Sequence, residues 1–375
     1  MTLGGALLLD DDGELQRGWI SIDGELITGV GFGDPVVVDV KLDGRTVLPG
    51  FVDMHCHGGG GASYTSADPE QILRVAHTHR AHGTTTTNAS LVSATYDDLA
   101  RQIRALLPFV DDGTLHGIHL EGPWISPGYC GAHDPTTLRD PEPDEVARIL
   151  EIGEGRIAMV TIAPELPGAV PSIERIVAAG AIAAVGHTGA NAVHARAAVD
   201  AGATVATHLF NAMPPLLHRD AGPVGVLMTE PDVTVELICD GHHLGPEVVS
   251  LTMASARDRA ALITDAMAAA AAGDGDYMLG DLEVRVTDGV ARLVSNGSLA
   301  GSTLTMDSAF RRAVRIAGVP VAVASAAASA VPARALGLAD RGVIAVGQRA
   351  DLVVLDGEWS VERVIRAGEW VSGSP

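Results

Sequence analysis

Residues 50 to 61 read GFVDMHCHGGGG: two imidazoles stand one residue apart at the end of an apolar run, and four glycines follow at once. Imidazole is a ligand for divalent transition metals. In an extended strand, residues i and i+2 point to the same side, so His55 and His57 share a face and Cys56 turns into packing. The glycines at 58 to 61 are expected to keep side chains from crowding a metal or substrate beyond the pair. Nitrogen and oxygen donors stand at the ends of other apolar runs too: Glu121 in LHGIHLEG, His187 in AIAAVGHT, His208 in ATVATHLFN and Asp265 in AALITDA. As a set, these six residues suit Zn, Fe, Mn or Co. A single histidine at a strand end is more often a hydrogen-bonded core residue than a ligand. His119, on the strand face of Glu121, is read in that way, as core or as support for the site. His77, His79 and His82 follow a helical pattern and are expected at the surface. His116, His194 and His218 are read as structural, and Cys130 as a small apolar filler.

Residues this far apart in sequence meet only if the fold gathers strand ends. Eight apolar runs of strand length recur, at 47–55, 84–92, 115–122, 156–165, 181–188, 203–211, 233–241 and 260–266. Helix-like stretches such as DPEQILRVAHTHRAHG, YDDLARQIRALLPFV, EPDEVARILEIG and NAVHARAAVDAG lie between them. The alternation predicts an α/β fold, a (β/α)8 TIM-like barrel over residues 50–340, in which the C-terminal strand ends converge on one face. Residues 1–49 and 341–375 read instead as short strands joined by turns such as DG, so the two termini are expected to pair into one small β-sandwich domain. After the eighth run, LEVRVTDGVARLV reads as an inserted hairpin and VAVASAAASAVPARALG as a late packed helix.

Composition bounds the function. The 375-residue chain is 47% hydrophobic but only 3% aromatic, so its core must be built from Ala, Val, Leu and Ile. A formal net charge of -22 argues against nucleic acid or an anionic membrane as a partner. An anionic substrate would therefore need a local cationic pocket. Three cysteines give no disulfide framework and fit a reducing cytoplasm. The start, MTLGGALLLDDDGEL, lacks the basic n-region of a signal peptide. No run reaches the ~18 apolar residues of a membrane span.

At these residues the chain resembles the amidohydrolase superfamily. GFVDMHCHG is similar to its first-strand metal motif, and ADLVVLD (350–356) to its returning β-domain strand. HLEGPW, VGHTGA, THLFNAM, ICDGHH, LITDAM and LAGSTLTM narrow the likeness to the N-acetylglucosamine-6-phosphate deacetylases, over nearly the whole chain. The resemblance implies one or two divalent metals per subunit, with Glu121, His187 and His208 holding the principal ion and His55 and His57 a second. Glu121 would be the bridge, because the fourth run, ending VTIAPE, offers no lysine for carboxylation. It also implies metal-activated water as nucleophile, since a metal lowers the pKa of its water toward ~7. Asp265 would be the proton shuttle at the metal site, and His133 a hydrogen-bond donor to the carbonyl oxygen. Asn211, Ala212, Arg219, His243 and Leu299 would contact an amino-sugar phosphate, some of them across a homodimer interface. The DGxH spacing favours His243 over its neighbour His242. The implied reaction is hydrolysis of the acetamide of N-acetylglucosamine 6-phosphate, a cytoplasmic step of amino-sugar catabolism and cell-wall recycling. Two other readings stay open. Another metal amidohydrolase, such as a D-aminoacylase or cyclic-amide hydrolase, would not need Arg219 with His243. A non-catalytic sugar-phosphate sensor would not need Asp265.

Overall fold

The structure, a computed structural model, describes residues 1–371. The end of the segment assigned to the small β-domain, 372–375, lies outside the described residues. Eight strands form one parallel sheet: β1 (Phe51–Asp53), β2 (Thr84–Leu91), β3 (Gly117–Glu121), β4 (Ile157–Ile162), β5 (Ile182–Val185), β6 (Val205–Ala206), β7 (Thr234–Ile238) and β8 (Ala260–Ile263). They pair in chain order from β1 to β8. The ring closes just beyond the strand ends, where Asp265 N–H donates to His55 O at 2.9 Å and His57 N–H to Ala266 O at 2.8 Å. The segments carrying the HxH pair and Asp265 are thus themselves the seam of the barrel.

Helices α1 (Pro69–Ala81), α2 (Tyr96–Asp111), α3 (Pro143–Ile152), α4 (Ala169–Ala178), α5 (Ala192–Asp200), α6 (Gly222–Thr229) and α7 (Pro246–Ser255) lie between successive strands, and α8 (Met306–Arg315) follows β8. Local chemistry sets their starts. Asp68, Thr95 and Asn191 cap α1, α2 and α5 through their side chains, satisfying otherwise orphaned backbone N–H groups. In α2 the buried residues Leu99, Ile103 and Leu106 fall at i, i+4 and i+7, the spacing of one helical face. Each fully buried Leu or Ile of this kind contributes roughly 1.5–3 kcal/mol.

The run expected as a single strand at 47–55 is two. Thr46–Pro49 pairs antiparallel with Leu352–Leu355 in the terminal sheet, and only after Gly50 does the chain enter the barrel as β1. A side chain at Gly50 could not be accommodated: a Cβ there would stand 2.4 Å from Thr85 Oγ1. Among the described residues the terminal sheet has eight strands, from Glu369–Trp370 at one edge to Leu26–Phe32 at the other with Thr2–Leu9 inside, so both ends of the chain contribute to it. Its own apolar core includes Leu3, Ile20, Ile27, Val47, Leu352 and Ile365.

The inserted hairpin is a three-stranded antiparallel sheet, Gly275–Leu279, Leu282–Thr287 and Val290–Leu293. Its first strand is largely exposed and carries no clear alternation to read. The late Ala-rich helix is two short ones, Val321–Ala328 and Ala330–Ala335. His77 is exposed, as expected, but His79 is 1% exposed and its Nε2–H donates to Gly58 O at 2.8 Å. His82 is half-buried beside Asp307, 3.4 Å away. Gly58 and Gly59, directly after the HxH pair, do not clear a floor for substrate. A Cβ at Gly58 would lie 2.5 Å from Ala62 O and 2.9 Å from Ala268 N, and one at Gly59 would lie 2.7 Å from His79 Nε2. They let the turn pack against β8's exit and against α1.

Candidate metal centre

His55, His187, His208 and Asp265 each stand two residues past the end of their strand, and Glu121 is the last residue of β3. His187, His208 and Asp265 have φ of 47°, 28° and 47°, a left-handed conformation that costs non-glycine residues roughly 1–3 kcal/mol each. That strain aims the three side chains inward over the barrel mouth.

All six strand-end residues are buried, from 0% exposed at His55 to 7% at Asp265. Glu121 faces all four imidazoles. Its Oε1 lies 3.2 Å from His187 Nε2, 3.0 Å from His208 Nε2 and 3.4 Å from His55 Nε2, while its Oε2 lies 3.0 Å from His57 Nε2. Asp265 Oδ1 is 3.4 Å from His55 Nε2 and 3.3 Å from His57 Nε2.

The tautomers follow from the outer partners. His55 Nδ1–H donates to Glu236 Oε2 at 3.1 Å, His57 Nδ1–H to Ser90 O at 3.1 Å, and His187 Nδ1–H to Tyr129 O at 2.8 Å. Each therefore turns an Nε2 lone pair into the cluster, the arrangement of metal-binding histidines. The Nε2 atoms of His55 and His57 are 3.1 Å apart, and those of His187 and His208 3.0 Å apart. Ring nitrogens this close must share a proton or a cation. Burial opposes a charge on His55, but Glu121, Asp265 and Glu236 outweigh it and raise the imidazole well above its ordinary range. Burial likewise opposes ionisation of Glu121 and Asp265, yet His55 and the hydrogen-bonded imidazoles hold both carboxyls below theirs. Nitrogen and carboxylate donors, buried and converging, fit a divalent metal of intermediate hardness.

A cavity of about 410 Å3 opens onto the cluster. His133, Asn211, Ala212, His243 and Leu299 line it together with His57, Glu121, His187, His208 and Asp265. Ser93 N–H donates to His133 Nδ1 at 3.1 Å, so the His133 proton resides on Nε2, 3.3 Å from Glu121 Oε2. Burial pulls this imidazole down to about 4, which keeps it neutral at physiological pH. Burial opposes charge on His243 as well, but Asp240 at 2.7 Å outweighs it and raises the ring. His242 is exposed and outside the lining. Arg219 is exposed too, its Nη1 2.7 Å from His218 Nε2, and it does not line the cavity of a single chain. Cys130 is half-buried in the loop before His133.

His119 sits where a core residue belongs, fully buried between Ser90 Oγ at 2.9 Å and Thr161 Oγ1 at 2.8 Å. Sequence reasoning missed Glu236 and Asp53, both fully buried. Glu236 Oε2 accepts hydrogen bonds from His55 Nδ1–H and from the backbone N–H of His208, each at 3.1 Å. Asp53 accepts from Thr264 Oγ1 at 2.6 Å and so ties β1 to β8 beneath the seam. The available signal was an acidic residue inside an apolar strand, VTVELI and GFVDMH.

Residues 46–371 match the model of the amidohydrolase family. The N-acetylgalactosamine-6-phosphate deacetylase of Escherichia coli O157:H7 is 34% identical over 98% of this chain and 96% of its own length. The N-acetylglucosamine-6-phosphate deacetylase of Vibrio furnissii is 32% identical over 89% of this chain and 84% of its own. Among solved structures, a mutant of the N-acetyl-D-glucosamine-6-phosphate deacetylase of Mycobacterium smegmatis, in complex with N-acetyl-D-glucosamine 6-phosphate, is 48% identical. It superposes with a TM-score of 0.96 and covers 99% of both chains.

Proposed function

The chain belongs to the amidohydrolase family, and from that premise we propose that it hydrolyses the acetamide of N-acetyl-D-glucosamine 6-phosphate, giving D-glucosamine 6-phosphate and acetate. The observation that carries this reading is Glu121, whose carboxylate is ringed by His55, His57, His187 and His208 at 3.0 to 3.4 Å, with Asp265 beside His55 and His57. Glu121, His187 and His208 would hold the principal metal and His55 and His57, with Asp265, a second; Zn, Fe, Co and Mn all suit these donors. A bound divalent ion supplies Lewis acidity and lowers the pKa of water.

The remaining chemistry belongs to the side chains. Asp265 is ionised at neutral pH and takes the proton of the attacking water as the new C–O bond forms. It then delivers that proton to the amide nitrogen, without which the C–N bond would expel a poor leaving group. The neutral His133 donates its Nε2–H to the carbonyl oxygen as charge develops there. His243, its ring raised by Asp240, and the Asn211–Ala212 segment receive the sugar phosphate, with Leu299 against the sugar. Arg219, exposed on its own chain, serves a neighbouring subunit's site in a homodimer. This reading divides the chain into a catalytic barrel at 50–340 and a small β-domain from both termini, supported by the separate core of the terminal sheet. A cytoplasmic location is supported by three free cysteines, and among the described residues no helix is long and apolar enough to cross a membrane.

The test is acetate release by metal-replete protein on the phosphorylated and unphosphorylated sugars, in wild type and Asp265→Asn. Activity on the phosphate ester, lost in the variant by about 10²-fold or more, is expected. Equal activity on both sugars would overturn the phosphate site. The Escherichia coli relative favours one second reading, the galactosamine isomer as substrate. Competition between the two N-acetylhexosamine 6-phosphates decides it.

A further inference from the structure

Behind His133 the cavity that opens onto the histidine–carboxylate cluster meets a second one, of about 340 Å3, and Val92, Ala132, His133 and Leu279 line both. The partition between the two spaces is therefore one layer of side chains. Val92 follows β2, Ala132 comes from the loop that carries His133, and Leu279 ends the first strand of the inserted antiparallel sheet. The three apolar residues belong to one packed cluster with Met267, Val284 and Leu293, so the inserted sheet anchors the partition. The sheet also abuts it directly: a Cβ at Gly280 would lie 3.0 Å from Val92 Cγ2. Beyond the wall the second cavity is polar, and the Oε1 of Gln102, a residue 6% exposed, has no partner there.

An amide whose carbonyl oxygen lies on His133 Nε2 must run its acyl chain past the neighbours of His133, while its sugar phosphate extends toward Asn211 and His243. We propose that Val92, Ala132 and Leu279 form the floor of the acyl pocket and set acyl chain length, admitting a methyl group and excluding chains that would have to breach the wall. The inserted sheet is then the element that confers acyl selectivity. This inference rests on the proposed deacetylation.

The test compares N-acetyl- and N-butyryl-glucosamine 6-phosphate as kcat/KM on the same preparation, so that any loss of folded protein divides out of the ratio. In wild type the acetyl substrate is strongly preferred. In Leu279→Ala and Val92→Ala the butyryl-to-acetyl ratio rises by about ten-fold or more, the discrimination that one or two methylenes carry in an apolar pocket. Ala132→Val, which thickens the wall, shifts the ratio the other way. A ratio unchanged in both opening variants, with the acetyl substrate still turned over, overturns the inference and leaves the proposed reaction standing. So does a wild type that takes both chains equally. A wild type that hydrolyses no N-acylated hexosamine phosphate removes the reaction, and the pocket with it.

Discussion

Glu236→Gln isolates the outer support of the proposed metal ligands His55 and His208. Glu236 is fully buried, and its Oε2 accepts from both His55 Nδ1 and the His208 backbone N–H, at 3.1 Å each. Glutamine is nearly isosteric, and its carbonyl oxygen can take the place of Oε2 and keep both bonds. What it removes is the negative charge that makes His55 a stronger donor, and it sets an amide where Oε1 has no partner. Outer partners of this kind are worth about 10–100-fold in metal affinity, or roughly 1.4–2.7 kcal/mol at ~1.36 kcal/mol per decade. Glu236→Leu goes further and leaves two buried N–H groups unpaired, which adds about 1–3 kcal/mol each in stability. The assay is competition with a chelator for zinc or manganese, alongside circular dichroism to show that the variant folds. Weakening of metal binding by one to two decades in Glu236→Gln is expected. A folded Glu236→Gln that binds within about three-fold of wild type would refute the claim that this carboxylate tunes His55.

His133→Gln should lower kcat by about 10²–10³-fold and change KM far less, because the proposed donor acts on charge that develops only in the transition state; matched losses in both constants would contradict that. Gly58→Ala forces a Cβ within 2.5 Å of Ala62 O and 2.9 Å of Ala268 N, both backbone atoms that cannot swing away. The HxH turn must move, and metal content per subunit should fall while the far-UV spectrum is kept; full metal occupancy would count against the packing argument. His79 is lowered by burial to about 4, from an ordinary value of 6.5. Because the folded state resists its proton, its contribution is fully present above pH 6.5 and is lost as pH falls toward 4, on the order of 3 kcal/mol across the window. Urea denaturation of metal-free protein at pH 7 and pH 5 should show a smaller loss of stability in His79→Gln than in wild type, and equal losses would refute the assignment.

The amino-acid types and their spacing determined much of this molecule. Alternation of apolar runs with helical stretches sets out the barrel, because strand and helix periods are local properties of the chain. The period-two rule puts His55 and His57 on one side, and the placement of Glu121, His187, His208 and Asp265 at run ends brings them to one mouth. Tertiary structure decided what depends on contacts between distant segments. Glu236 became the partner of His55 across 181 residues of sequence. Gly58 and Gly59 proved to be required by the Ala268 backbone and by His79 rather than by an open floor. The helical pattern placed His79 on a helix but could not say which face the turn after His57 would cover. The left-handed backbone at His187, His208 and Asp265 has no signature in their residue types, because surrounding packing, not intrinsic preference, holds a non-glycine residue there.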